Sequence, residues 1–427
     1  MSGLALYLQK AGFFVSGSDM AESSQTVELR KKGIPIYIGH SAENVIGADV
    51  VVCCSAISES NPELCFARER GIPVVGRGEL LRLVSKEFPN VIAIAGCHGK
   101  TTSTAMTSHM IIHCTGSVTS HIGGADSVLG NIHISDSPYF VTEACEYEGN
   151  FLKLEPSVAV VLNTDADHME YYKTEENLLA AYREFIKKSK AGIVCADDRI
   201  CGMCKSDLTF GLSEGSDITA EEITNLKGKF SFRLCAFGKK YDRIKLNAYG
   251  RHNIYNALAA AAVGIYYAFP MEMICEGIEK FEGISRRFEW IGKYNGAEFI
   301  ADYAHHPQEI TAALETARQI SREGLKVIFQ PHTYSRTRIF MQNFVNAFKD
   351  EKNLVIYRTY PAREYFDAEG SALTLSEKLP RSLYVETLRE LVLWLERTVK
   401  PGDTVLFLGA GDIYYAAKMA LEQLRKR

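Results

Sequence analysis

Val91-Ile92-Ala93-Ile94-Ala95 is an apolar run that breaks at once into Gly96-Cys97-His98-Gly99-Lys100-Thr101-Thr102. The apolar run reads as a buried strand, and Ser103–His113 beyond the loop carries helical spacing. A glycine loop between strand and helix aims backbone N–H groups at one centre, with the helix N-terminus behind them. That geometry makes a nest for phosphate oxygens. Lys100 would set a positive charge against the terminal phosphates, and Thr101 would offer its hydroxyl to Mg2+. The strict spacing G-x-x-x-x-G-K-[ST] fails, because Ile94 stands where the first glycine belongs; the shorter G-x-x-G-K-T-T holds from Gly96. The bland alternative is a glycine turn with an exposed lysine. A strand and a helix on the correct sides favour the phosphate site.

Later strands of the same region are expected at Tyr139–Thr142, Val158–Leu162 and Gly192–Cys195. Two of them end in polar clusters, Glu143-Ala144-Cys145-Glu146-Tyr147 and Asn163-Thr164-Asp165-Ala166-Asp167-His168. Ligands of open α/β sheets bind at the carboxyl ends of strands, and Mg2+ takes oxygen ligands. Taken singly, Glu148 and Asp165 fit solvated loop carboxylates. Asp207–Ile244 reads as a small antiparallel sheet. Asn253–Ala268 reads as an alanine-rich helix opened by Gly250-Arg251-His252. Asn253 is either a helix cap or, with Asn256 three residues on, a reader of an adenine edge.

Residues 1–88 alternate short apolar runs (Phe13-Phe14-Val15, Asp49–Ser55, Ile72–Val75) with helical segments at Thr26–Lys32 and Pro62–Arg70. Such alternation predicts a parallel sheet. The chain opens directly on a helix, Ser2–Lys10, with no strand before it. From Tyr294 onward, strands at Glu298–Ala301, Lys326–Gln330, Asn353–Tyr357 and Thr404–Leu408 alternate with helices at Gln308–Gln319, Ile339–Asp350, Ser371–Lys378 and Thr387–Thr398. Two of those strands run into Asp302-Tyr303-Ala304-His305-His306-Pro307 and Pro331-His332-Thr333-Tyr334-Ser335-Arg336-Thr337-Arg338. Adjacent histidines diverge, so His305-His306 makes a poor metal site. His332 with Arg336 and Arg338 suits an anionic substrate. Arg286-Arg287-Phe288 is a paired guanidinium site or a surface pair.

The 427 residues predict two to four domains at ~150 residues each. With 48 Lys+Arg against 52 Asp+Glu, the net charge of −4 gives no global footprint for nucleic acid. No apolar run reaches the ~18 residues of a membrane span, and the N-terminus lacks the order of a signal peptide. The 11 scattered cysteines suit a reducing cytoplasm. Cys201-Gly202-Met203-Cys204 has no partner pair, which leaves a zinc reading weak. A GTPase switch is disfavoured, since no N-K-x-D motif follows the loop.

In chain order, these motifs resemble those of the Mur ligase family: Ser16-Gly17-Ser18-Asp19, Gly96–Thr102, Glu143–Glu146, Asp167-His168, Gly250–Asn253, Arg286–Phe288, Asp302–Pro307, Gln330–His332 with Tyr334–Thr337, and Gly409-Ala410-Gly411-Asp412-Ile413. The resemblance implies three α/β domains. They are a Rossmann-like substrate domain over 1–88 lacking its first strand, a P-loop ATPase-like domain over 89–293 with a parallel and a small antiparallel sheet, and a Rossmann-like ligase domain over 294–427. It implies an ATP-dependent ligase of peptidoglycan precursor synthesis, joining L-alanine to UDP-N-acetylmuramate through an acyl phosphate. Attachment of a tripeptide to the same nucleotide, or an impaired nucleotide-binding relic, are the alternatives. Carried over by motif, Gly96, Cys97, His98, Gly99, Lys100, Thr101 and Thr102 would bind ATP, with Asn253, Asn256, Arg287 and Asp302. Lys100, Glu143 and His168 would be catalytic; Thr101 and Glu143 would hold one Mg2+ and His168 a second. Ser18, Asp19 and Ser55 would lie near the uridine nucleotide. His121, Gly123, Gly124, His332 and Arg336 would face the muramyl group and the amino acid. A cytoplasmic monomer or weak homodimer, bound neither to nucleic acid nor in a membrane, completes the expectation. Met1-Ser2-Gly3-Leu4-Ala5 resembles the tail of the family's first loop, G-x-G-G-x-G-M-S-G-L-A. The absence of the preceding strand, through an upstream start or a real loss, is expected to loosen the first domain and weaken uridine-nucleotide binding.

Overall fold

The computed structural model of the chain describes residues 1–164, 169–199 and 201–426. Two compact units form: residues 1–221, 233–244 and 255–280, and residues 222–232, 245–254 and 281–427.

The first unit opens on the helix Ser2–Lys10. Strand β1 (Gly17–Asp19) pairs in parallel with β2 (Ile36–Ile38), and β3 (Val51–Cys53) with β4 (Val74–Gly76). These are two separate two-stranded sheets. Phe13-Phe14-Val15 is not a strand, contrary to expectation. Phe13 and Phe14 are 63% and 89% exposed, and an apolar run with no neighbour to pair with gains nothing by extending. Polar contacts tie the halves together. Ser18 Oγ donates to Glu63 Oε2 at 2.7 Å and lies 3.1 Å from His40 Nδ1, while Asn44 Nδ2 donates to Glu63 Oε1 at 2.7 Å.

Strands β5 (Asn90–Ala95), β6 (Thr119–Asp126), β7 (Gly130–His133), β8 (Tyr139–Glu143), β9 (Val158–Val161), β10 (Ala191–Cys195), β11 (Leu208–Phe210), β12 (Ile218–Leu226), β13 (Lys229–Ala236) and β14 (Lys239–Tyr249) make one ten-stranded sheet. Its order is β14-β13-β12-β11-β10-β9-β5-β8-β6-β7. The expected small antiparallel sheet is therefore not separate. β11 pairs in parallel with β10 and, through Phe210 and Ile218, with β12, so the hairpins extend the parallel sheet. Two-residue turns at Lys227-Gly228 and Phe237-Gly238, all at positive φ, close those hairpins with the twist such turns favour. Strand β5 lies between β8 and β9 and is buried from Val91 to Ala95.

The helix Lys100–Thr115 leaves β5 and packs on Met271–Glu279. A Cβ on Gly277 would come within 2.7 Å of Met110 Cα. On β6, His121 pairs with Thr142 of β8, is 5% exposed, and places Nδ1 3.3 Å from the Thr142 hydroxyl. Gly3 of the first helix covers its ring, at 3.3 Å from an ideal Cβ. Burial, with Arg77 adding, pushes the His121 pKa down to about 3.

The second unit carries β15 (Glu289–Tyr294), β16 (Ala297–Asp302), β17 (Leu325–Phe329), β18 (Leu354–Tyr357), β19 (Ser382–Val385) and β20 (Thr404–Leu408), in the order β15-β16-β20-β17-β18-β19. All pairs are parallel except β15 with β16. The two strands the sequence does not announce, β15 and β19, are the sheet edges. Their half-exposed faces lack the apolar runs of the inner strands.

Two outcomes follow for stability. Gly277→Ala should cost about 1–3 kcal/mol by overpacking, although alanine is the better helix former; urea unfolding measures it. His121 stays neutral in the fold until near pH 3, whereas the unfolded chain protonates it below about 6.5. Its contribution is full above that upper value and is lost as pH falls through the window. Between pH 7.5 and about 5.5 this should remove about 1 kcal/mol, and His121→Gln should lose correspondingly less, read from urea midpoints at both pH values.

Candidate functional site

The glycine loop sits at the carboxyl end of β5, flanked by the ends of β8 and β9. Asn163, just past β9, straps it down. Its Oδ1 accepts from His98 N at 2.9 Å, its Nδ2 donates to His98 O at 2.9 Å, and its carbonyl accepts from Cys97 N at 3.4 Å. Gly96 (φ +132°) admits this contact, since a Cβ there would lie 3.1 Å from Asn163 N and O. Gly99, at φ +83°, is the N-cap of Lys100–Thr115, and no side chain caps that end. Its first-turn N–H groups remain for an anion. Lys100 Nζ donates to Glu146 Oε1 at 2.9 Å, to Cys97 O at 3.3 Å and to Gly96 O. Burial works against the lysine's charge, but Glu146 outweighs it and holds the ammonium above the usual lysine range.

Glu143 ends β8 beside Ile94 of β5 and accepts Gly123 N at 2.5 Å. A Cβ on Gly123 would collide with that carboxylate. The structure thus joins the expected metal ligand Glu143 to the expected substrate residue Gly123. Thr101 and Thr102 open the helix, and among the described residues the Thr101 hydroxyl bonds to nothing. Gly124 follows Gly123 on β6, and His121, on the same strand, is 5% exposed with Gly3 over its ring. Asp165, Asp167 and His168 lie outside the described residues. No cluster of three or more metal-binding side chains is found among the described residues.

Of the three residues expected near the uridine, Ser18 is engaged with Glu63 and His40, and Asp19 accepts Ala21 N at 3.3 Å. Ser55 is exposed in a turn. Asn253 Nδ2 donates to Tyr249 O at 2.7 Å, four residues earlier in the chain. Asn256 accepts from Ser103 Oγ at 2.9 Å, and its Oδ1 would lie 2.5 Å from a Cβ on Gly99. It buttresses the loop.

In the second unit, polar side chains collect past the ends of β16, β17, β18 and β20. Asp302 accepts Phe288 N and Ala304 N, each at 2.7 Å. Burial raises its pKa and Arg287 opposes the rise. The two arginines divide their work. Arg286 lies between the rings of Tyr303 and Tyr414, at 4.8 and 5.3 Å, and donates to Ala410 O and Gly411 O. Arg287 lies over the Tyr303 ring as well, at 5.1 Å, and is 3.7 Å from Glu309. His332 stacks on Tyr360 at 5.4 Å and meets His305 at 5.7 Å. Arg336 reaches His332 Nδ1 at 3.4 Å. Burial, countered by Glu309, lowers the His305 pKa to about 4. Glu364 accepts Ser335 N at 2.8 Å at the start of the helix Tyr334–Ile339. Sequence reasoning missed the roles of Glu146, Asn163, Tyr360 and Glu364. The only signal for the first two is their place just after buried strands.

Comparison with known proteins identifies the family. Residues 1–89 match the model described as Mur ligase family, catalytic domain, residues 94–264 the Mur ligase middle domain, and residues 286–411 the Mur ligase, glutamate ligase domain. The chain is 40% identical to the UDP-N-acetylmuramate--L-alanine ligase of Acetivibrio thermocellus, over 99% of this chain and 93% of that one. The crystal structure of the UDP-N-acetylmuramate-alanine ligase of Thermotoga maritima superposes with a TM-score of 0.87 at 30% identity, covering 100% of this chain and 96% of the other. A murein peptide ligase from Psychrobacter arcticus shares the fold, with a TM-score of 0.76 at 22% identity over 99% and 96%. With three domain models in order and identity sustained over nearly its full length, the chain belongs to the Mur ligase family.

Proposed function

We propose that this chain is an ATP-dependent ligase of peptidoglycan precursor synthesis, joining the amine of L-alanine to the carboxylate of UDP-N-acetylmuramate through an acyl phosphate. The observation that carries the reading is the strapped loop at the end of β5, with an uncapped helix behind it and the Lys100 ammonium beside it. Kinship with ligases of that name supports the substrate pair. ATP gives its terminal phosphoryl group to the carboxylate, the amine attacks the acyl phosphate, and phosphate leaves. The protein's part is to position the reactants and neutralise charge.

Gly96 to Thr102 would cradle the phosphates, and Lys100 would balance charge as it moves to the transferred oxygens. Thr101 and Glu143 are oxygen donors of the kind Mg2+ takes, and the unbonded Thr101 hydroxyl fits that use. Bound there, the ion would neutralise phosphate charge, and His168 would hold a second. Asn256 would act through Gly99, and Asn253, Arg287 and Asp302 would complete the nucleotide site. Gly123, Gly124, His121, His332 and Arg336 would serve the muramyl group and the amino acid; Ser18, Asp19 and Ser55 would serve the uridine. The domains would be 1–88 for the uridine nucleotide, 89–293 for ATP and 294–427 for ligation. We place the enzyme in the cytoplasm as a monomer or weak homodimer. Free thiols such as Cys53, Cys54 and Cys65 support that compartment. Among the described residues, no helix is long and apolar enough to cross a membrane.

Lys100→Ala should lower turnover by a factor of hundreds, about 3–4 kcal/mol, and, because it leaves the buried Glu146 carboxylate without its cation, should also lower the unfolding midpoint while the chain still folds. Near-parental turnover would remove the phosphate assignment. Product analysis with labelled L-alanine and with a tripeptide should find the L-alanine adduct formed in preference; the reverse order would name the other acceptor. Glu143→Ala should raise the Mg2+ concentration needed for half-maximal rate, and a superimposable magnesium titration would exclude it as a ligand.

A further inference from the structure

We propose that Glu146 is a positioning residue of the phosphate site, holding the Lys100 side chain in place for the incoming nucleotide and giving up its bond when the phosphates arrive. This rests on the reading of the loop as an ATP site.

Glu146 lies three residues past Glu143 and is 1% exposed. Its Oε1 is 2.9 Å from Lys100 Nζ. An ammonium has three donors, and those of Lys100 meet three protein acceptors: Gly96 O, Cys97 O and Glu146 Oε1. A phosphate oxygen can gain a bond from Nζ only by replacing one of them. Two are carbonyls of the loop that would itself wrap the phosphates. The third is an anion, which a triphosphate repels, so the carboxylate bond is the one exchanged. Its value before exchange is conformational, since a free lysine spreads over many rotamers. The backbone of Glu146 is fixed for this task. Its carbonyl accepts from Gly149 N at 2.9 Å and from the hydroxyl of Tyr172, the last residue of the helix Met169–Tyr172.

A carboxylate that merely supports the fold would lose stability, nucleotide affinity and turnover together when replaced. A positioning carboxylate separates them. Glu146→Gln keeps the shape and removes a negative charge beside the phosphates, so affinity for ADP should hold or tighten. Turnover should fall about 10–100-fold as the ammonium loses its place. Glu146→Asp keeps the charge one methylene short and should recover part of that loss.

The experiment is calorimetric titration of the full chain with ADP, beside steady-state ligation with UDP-N-acetylmuramate and L-alanine. Retained ADP affinity with reduced kcat in Glu146→Gln, partly rescued in Glu146→Asp, is the expected result. Parental kcat in Glu146→Gln, or affinity and kcat falling in step, would overturn the proposal. Should Glu146→Gln fail to fold, the same split between affinity and kcat is read from Glu146→Asp alone. Failure of the parent chain to bind ADP would instead refute the ATP reading itself.

Discussion

A helix that starts without a capping side chain leaves its first N–H groups unbonded, and the centre of this molecule is arranged around that debt at Lys100–Thr115. Several helix starts here find a side-chain acceptor, as Ser23, Asn61, Thr174 and Thr387 provide for theirs, while others, such as Met271–Glu279 and Met341–Phe348, do not. At Gly99 the neighbours brace the loop. Asn163 bonds the backbone of Cys97 and His98, and Asn256 presses on Gly99 and bonds Ser103. The donors are fixed in direction before any anion is bound, which is the condition under which such dipoles act without reorganisation.

The second unit uses a different material for a similar end. Past its strand ends the braces are aromatic and cationic. Arg286 is sandwiched by Tyr303 and Tyr414 while bonding the Ala410 and Gly411 carbonyls, and Gln330 and Arg358 both hold the Asp412 carboxylate. Beside them, Arg287 reaches Glu309 at 3.7 Å and Arg336 reaches His332 Nδ1 at 3.4 Å.

What could be read from the chain was local. Strand β5, its loop and the helix after it are contiguous, so their chemistry is written in one stretch. Strands β5, β9, β10 and β20 are apolar runs and declare themselves, while inner strand β6, which carries Thr119, Ser120 and His121, and edge strands β15 and β19 do not. Glu146 and Asn163 could not be singled out, because their roles exist only once β8 and β9 have settled on either side of β5. The pair Arg286-Arg287 was visible as a pair, but what sets Arg286 apart is Tyr414 with the Ala410 and Gly411 carbonyls, more than a hundred residues away. Asn253 and Asn256, one helical turn apart, share a face in principle, yet they are engaged by different partners.

The divided first sheet has a consequence for how the molecule breathes. An isolated two-stranded sheet is marginal in water; β3 and β4 have a small core of Val45, Val51, Leu64 and Ala67 and also pack Val52 and Val75 on the large core of the first unit, whereas β1 and β2 have no such backing among the core clusters described. Polar contacts through Glu63, not a continuous backbone ladder, hold β1 and β2 to that half. Such a segment opens on its own, at a free energy well below that of global unfolding. Its amides will therefore exchange with solvent long before those of β5 and β9. A protease acting on the native protein will find its first cuts among residues 11–50, leaving the ten-stranded sheet intact.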